Sequence, residues 1–190
     1  MPGQHRIDWE AAKTRTDAIV PWITVFGLIA GGVYSLVEYR NHERDRRIEA
    51  TMAYVTRYMA PPLSDYRAVL VKRWQAHEAD LLAVLKNSSL TPAELNRQYS
   101  AGVLAMVTAD ELALPIQETV LFFEQLANCV TLKLCESDAV NSMLAGQAQE
   151  FLHQYYPYVC HLRQEWNDPA IARQLEQVFN AQSMGKDICR

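Results

Sequence analysis

Apolar positions along this chain form one continuous run followed by several helical stripes. The run, Ala18 to Val37, holds twenty consecutive residues without a charge. As a helix rising about 1.5 Å per residue it reaches about 30 Å, the thickness of a bilayer's hydrocarbon core. It predicts one membrane-spanning helix. Pro21 falls in its first turn, where a missing N–H leaves nothing unpaired. Trp22, Tyr34 and Tyr39 lie near its ends, where amphipathic rings favour the headgroup zone. Gly27, Gly31 and Ser35 recur every four residues on one face, the spacing that lets two membrane helices approach closely. Two readings compete with it: a buried core helix, which would rarely need twenty uncharged positions in a row, and a cleavable signal sequence, with Ala30-Gly31-Gly32 imitating a cleavage site. The preceding Asp8, Glu10 and Asp17 and the length of the run argue against cleavage.

No Gly or Pro interrupts the chain after Val33 until Pro61-Pro62, so the same helix is expected to run on to Ala60. Ile48, Met52, Val55 and Met59, spaced four, three and four, form a short seam facing either a partner helix or the chain's own domain. Packing on its own domain is the simpler expectation.

The remaining stripes predict a helical bundle. Ser64 opens a second helix with Tyr66, Leu70, Trp74, His77, Leu81 and Val84 on one face. Thr91-Pro92-Ala93-Glu94 is a capping box with proline at the first helical position, starting a third helix lined by Leu95, Tyr99, Gly102 and Met106. A fourth, Ile116 to Leu134, aligns Ile116, Val120, Phe123, Ala127, Val130 and Leu134, with Phe122, Leu126 and Cys129 widening the arc. It reads as the central helix. Ser137 opens a fifth with Val140, Leu144, Ala148, Phe151 and Tyr155 inward, kinked or split at Pro157. Asp168-Pro169 opens a sixth carrying Ile171, Leu175 and Val178. No stretch alternates with period two. The expected fold is all-α, one N-terminal transmembrane helix continuing into a multi-helix bundle. The divisions are an N-terminal tail (1–17), the span (18–37), a juxtamembrane helix (38–60), the bundle (61–182) and a C-terminal tail (183–190).

Charge narrows the partners. The stretch from Arg40 to Arg47 places Arg40, Arg44, Arg46 and Arg47 just after the span, against a more scattered Arg6, Lys13 and Arg15 before it. That bias favours an inner-membrane protein with a cytoplasmic C-terminal domain; the same arginines could also touch anionic lipid. From Trp74 onward the net charge is near −7, a field that repels phosphate backbones, so nucleic acid is not an expected partner. Cys129, Cys135, Cys160 and Cys189 include no CxxC pair and are expected as reduced thiols, in keeping with a cytosolic domain.

Chemistry is mostly excluded. His77-Glu78 begins like a zinc-protease motif, but Leu81 stands where the second histidine is needed. Glu150 and His153 have the spacing of a di-iron bundle half-site without a second half. Cys160 and His161 are adjacent, so they point about 100° apart on a helix and cannot activate each other; a buried thiol is the expectation. No catalytic residue, metal or cofactor is expected. Trp74, His77, Tyr155, Tyr156 and Tyr158 remain as the nearest thing to a small-ligand pocket.

The segment from Glu118 to Val159 resembles an uncharacterised bacterial helical domain, the domain-of-unknown-function family numbered 4760. The resemblance rests on the phenylalanine-rich helix with its Phe123-Glu124 pair, a short turn, and a helix ending in tyrosines and Pro157. It extends back toward Pro61-Pro62 and Tyr66-Arg67. It implies a helical domain behind one membrane helix and carries no catalytic residues. The expected function is a non-enzymatic, single-pass interaction or scaffold protein, an accessory subunit of a membrane assembly. It would associate with another protein or a second copy through the transmembrane helix. A membrane-tethered sensor of a small ligand and an enzyme of unrecognised type are the alternatives.

Overall fold

The computed structural model describes the backbone of residues 9–179 and 189, and side chains from residue 25 onward within that set. Trp22, Pro21 and the first seven positions of the apolar run fall outside the described side chains. So do most of the two tails. Every described element is helical: α1 (Trp9–Met59), α2 (Leu63–Leu85), α3 (Pro92–Ala109), α4 (Ala113–Thr131), α5 (Ser137–Met143), α6 (Ala145–Glu165) and α7 (Arg173–Val178). The chain divides into two units, residues 1–46 and 47–190.

In the first unit α1 carries exposed apolar side chains in every direction, among them Phe26, Leu28, Ile29, Val33 and Leu36. Among the described residues no single helix is long and apolar enough to cross a membrane, and the apolar run begins seven positions before the first described side chain. Helices α3 and α4 together are apolar enough but meet at 110°. Their apolar side chains are largely the bundle's core.

The second unit is built around α4. Ile116, Phe122, Phe123, Leu126 and Ala127 are essentially unexposed, as the apolar arc of its sequence requires. Phe123 touches the rings of Tyr58, Phe122, Phe151 and Phe179, drawing four helical segments onto one side chain. Leu134 departs from the expected line. The helix stops at Thr131, Lys133 turns the chain at φ 57°, and Leu134 is left exposed.

Local signals set several boundaries. Thr91 and Glu94 cap α3 reciprocally, and the hydrogen bonds that Glu94 accepts from Thr91 hold its carboxyl below the ordinary range. Gly102 marks a close crossing, since a Cβ there would meet Leu81 Cδ2 at 2.9 Å and that side chain would have to shift. Ser64 does not cap α2, whose first residue is Leu63 behind the cis Pro61-Pro62 bond. The helix expected from Ser137 through Tyr155 is two helices meeting at Leu144, where Ser142 Oγ donates to the Ala139 carbonyl and competes with the backbone ladder. Pro157 does not split its helix: α6 runs through it, with buried neighbours on both sides.

Candidate functional site

The small-residue face predicted in the apolar run lies in open surroundings. A Cβ on Gly27 or Gly31 would meet nothing within 4 Å, and Ser35 is exposed. Arg40, Arg44 and Arg46 are exposed and Arg47 is half-buried. The seam does not pack on its own domain as expected. Ile48, Met52 and Met59 are exposed and only Val55 is half-buried against the core. The face of α1 that packs is the neighbouring one, with Thr51 and Tyr58 buried and Tyr54 half-buried. Tyr58 stacks on Phe122 at 5.3 Å, and Thr51 Oγ1 accepts the Glu136 N–H at 3.0 Å. Two aromatic rings and a buried hydroxyl acceptor outbid four aliphatic side chains for the interior.

Of the five residues grouped as a ligand pocket, only Trp74 and Tyr155 are in ring contact, and Tyr156 and Tyr158 turn to other helices. Tyr155 packs edge-on against Trp74 and donates its hydroxyl to the Leu70 carbonyl at 2.9 Å. Tyr156 points toward α7 and donates to Glu176 at 2.7 Å. Tyr158 accepts from Gln117 on α4. His77 lies 3.1 Å from Asp110, which also faces Arg73. These are pairwise clamps between helices, and the tyrosines radiate outward from α6.

Burial gives the tyrosines a pH signature. It pushes the Tyr155 hydroxyl well up; it also raises Tyr156 to about 12, helped by the Glu176 carboxylate. Tyr58 and Tyr99 are raised in the same way by burial. A raised acid favours the folded state while protonated, so its contribution is intact below the unfolded value of 10.0 and disappears as pH climbs toward 12. The urea midpoint is expected to hold below that value and to fall above it, with the tyrosinate absorbance of these four buried rings rising as the chain unfolds. In Tyr156→Phe the alkaline fall should be smaller. An equal fall in wild type and variant would sink the assignment.

The cysteines correct the expectation of reduced thiols. Cys129 pairs with Cys135 and Cys160 with Cys189, leaving no free thiol. The turn through Lys133 folds the chain back so that Cys129 and Cys135 stand 5.2 Å apart at Cα. Cys160 is therefore bonded to Cys189 rather than a lone buried thiol, and its neighbour His161 faces Glu165 at 3.7 Å.

Two hollows open in the second unit. One of about 70 Å³, between Arg67, Thr119, Glu150 and Tyr155, has room for little more than a water or two. The other, about 390 Å³, lies between α4 and the α6–α7 loop and is of the size that holds small ligands. Its floor is Val120, Leu162 and Ala172, all buried, and its rim carries Leu121 and Trp166, both about half exposed. The loop that walls it is tied down by Arg163, which donates from Nε and Nη2 to the Ile171 carbonyl and pairs with Glu176. Glu124 accepts the N–H groups of Gln174 and Leu175, holding the start of α7 against α4. Sequence reading missed this cleft because α4, α6 and the loop each supply only part of it. The available signal was Trp166, a large ring stranded in the polar stretch before Asn167-Asp168-Pro169.

Among the described residues no three His, Cys, Asp or Glu side chains converge as a metal site would need. A family model described as domain of unknown function (DUF4760) matches residues 25–182. Comparison with curated proteins and with solved structures returns no match. The chain belongs to the DUF4760 family.

Proposed function

We propose that this DUF4760 member is a single-pass, membrane-anchored helical interaction protein, an accessory subunit whose acidic bundle engages a partner. The observation that carries the reading is the contrast within α1. From residue 25 to residue 37 its apolar side chains are exposed all round, Leu28 at 72%, while the helices of the second unit each bury one face. A helix apolar on every side is suited to lipid, and a stripe of small residues within it is suited to another helix. We place the protein in the inner membrane with the bundle on the cytoplasmic side. Only the arginines from Arg40 to Arg47 now favour that side, because paired cysteines belong more often to oxidising compartments.

Alkaline carbonate should leave the chain in the membrane pellet; release into the supernatant would overturn the anchor. Mild-detergent purification with native mass spectrometry should return a stoichiometric membrane partner or a second copy. A lone monomer would overturn the assembly role. Gly27→Leu with Gly31→Leu should dissociate that assembly while leaving the urea midpoint of the bundle unchanged, because among the described residues a Cβ at either glycine meets nothing within 4 Å. Unaltered association would remove the stripe from the reading.

A further inference from the structure

We propose that the cleft between α4 and the α6–α7 loop docks a basic, partly apolar segment of a partner polypeptide. The proposal rests on the bundle acting as a docking domain and names the chemistry of what it docks. All ionisable side chains lining the cleft are acids: Glu118, Glu124 and Asp168. Their oxygens are not equally committed. Glu124 spends both on α7, and Asp168 Oδ1 accepts the Ala170 N–H at 2.8 Å. Glu118 has no hydrogen bond or ion pair among the described contacts. Asp168 Oδ2 and the whole Glu118 carboxylate therefore remain for an incoming cation. Arg163, which ties down the wall of the cleft, is turned to Ile171 and Glu176.

Beside these acids stands Trp166, 56% exposed, a ring whose face attracts ammonium and guanidinium groups and which anchors interfaces when covered. The apolar surface continues beyond the hollow. Leu114 and Leu121 are seven residues apart on α4 with Glu118 between them, so all three share one outward stripe, and both leucines are about half exposed. A free small amine would use the hollow and leave that stripe bare. A polypeptide segment alternating basic and apolar side chains covers both. The net charge near −7 from Trp74 onward draws such a segment in from solution.

The test uses the full chain in mild detergent and a dye-labelled, end-capped peptide of alternating arginine and leucine, followed by fluorescence anisotropy. Saturable binding is expected, weakening with salt, with no binding by the matching glutamate–leucine peptide. Glu118→Gln with Asp168→Asn keeps the shapes and should weaken binding about five- to ten-fold, since each rim charge contributes modestly. Trp166→Ala should weaken it about three-fold or more. Unchanged urea midpoints confirm that the variants are folded. Equal binding of both peptides, or a double variant that binds like wild type, would overturn the proposal. Displacement of the peptide by phenethylamine at matching concentrations would overturn it too, assigning the cleft to small amines. Loss of peptide binding with carbonate-resistant membrane retention intact condemns the cleft alone. Loss of retention instead condemns the anchor, and the peptide measurement still stands.

Discussion

Phe123→Ala is expected to destabilise the bundle by about 3–5 kcal/mol, the range for removing a fully buried phenylalanine. Phe123 has no exposure and its ring is shared by Tyr58 of α1, Phe122, Phe151 of α6 and Phe179 after α7. These neighbours belong to different helices, each fixed by other contacts, so they cannot all collapse into the vacated space. Two terms then add: the lost transfer of the ring from water and the residual cavity. Against a total stability of about 5–15 kcal/mol for a domain of this size, a large part of the reserve disappears. Urea unfolding of the full chain in mild detergent, with disulfides intact, measures it. A loss below about 1 kcal/mol would show that the four rings are not one packed unit. Phe123→Leu should recover more than half of the loss, because it refills most of the volume.

Arg163→Met should cost about 2–3 kcal/mol. The guanidinium satisfies the Ile171 carbonyl through two nitrogens, pairs with Glu176 and reaches the Tyr156 hydroxyl. Methionine keeps much of the volume, leaves the Ile171 carbonyl without this donor and leaves the Glu176 carboxylate with the Tyr156 hydroxyl but no cation. Removing one partner of a fully buried pair costs about 3–5 kcal/mol. The side chains of Arg163 and Glu176 are 16% and 14% exposed, so some of that penalty is relieved by water. Arg163→Lys should restore little, since one ammonium cannot span a carbonyl and a carboxylate as a planar fork does. Urea unfolding reads the cost, and hydrogen exchange at Arg173, Gln174 and Leu175, whose N–H groups bond Ala170 and Glu124, should rise in the methionine variant. Unchanged exchange there would mean that the arginine does not hold the loop.

What was legible in the sequence follows the range of each interaction. The Thr91–Glu94 cap is complete within four residues, and the α4 arc within five turns, so both could be read locally. The same holds for Val140, Leu144, Ala148, Phe151 and Tyr155, all of which are buried although the helix expected to carry them is broken at Leu144. The seam at Ile48–Met59 shows the limit. Its spacing defines a face, but α1 has two adjacent apolar faces there, and the choice between them was made by Phe122 and Glu136, about seventy and eighty-five positions away. The disulfides depended on a positive φ at Lys133 and on the return of Cys189 to α6. No spacing rule encodes either. Tyr155, Tyr156 and Tyr158 are adjacent in sequence, and the helical turn of about 100° per residue sends them to α2, α7 and α4. The cleft at Trp166 is assembled from three segments and has no local signature beyond that ring.

The bond from the Glu136 N–H to Thr51 Oγ1 and the ring contact between Phe123 and Phe179 set an order in time. Thr51 leaves the ribosome about 130 residues before Phe179, an interval of roughly 6–26 s at 5–20 residues per second. For the first half of it Tyr54 and Tyr58 have no Phe122 to meet, and for the rest Phe123 waits for Phe179. The apolar stretch of α1 emerges before any of them. On the anchoring proposed above, that stretch is on offer to a membrane while the bundle is still an open set of helices.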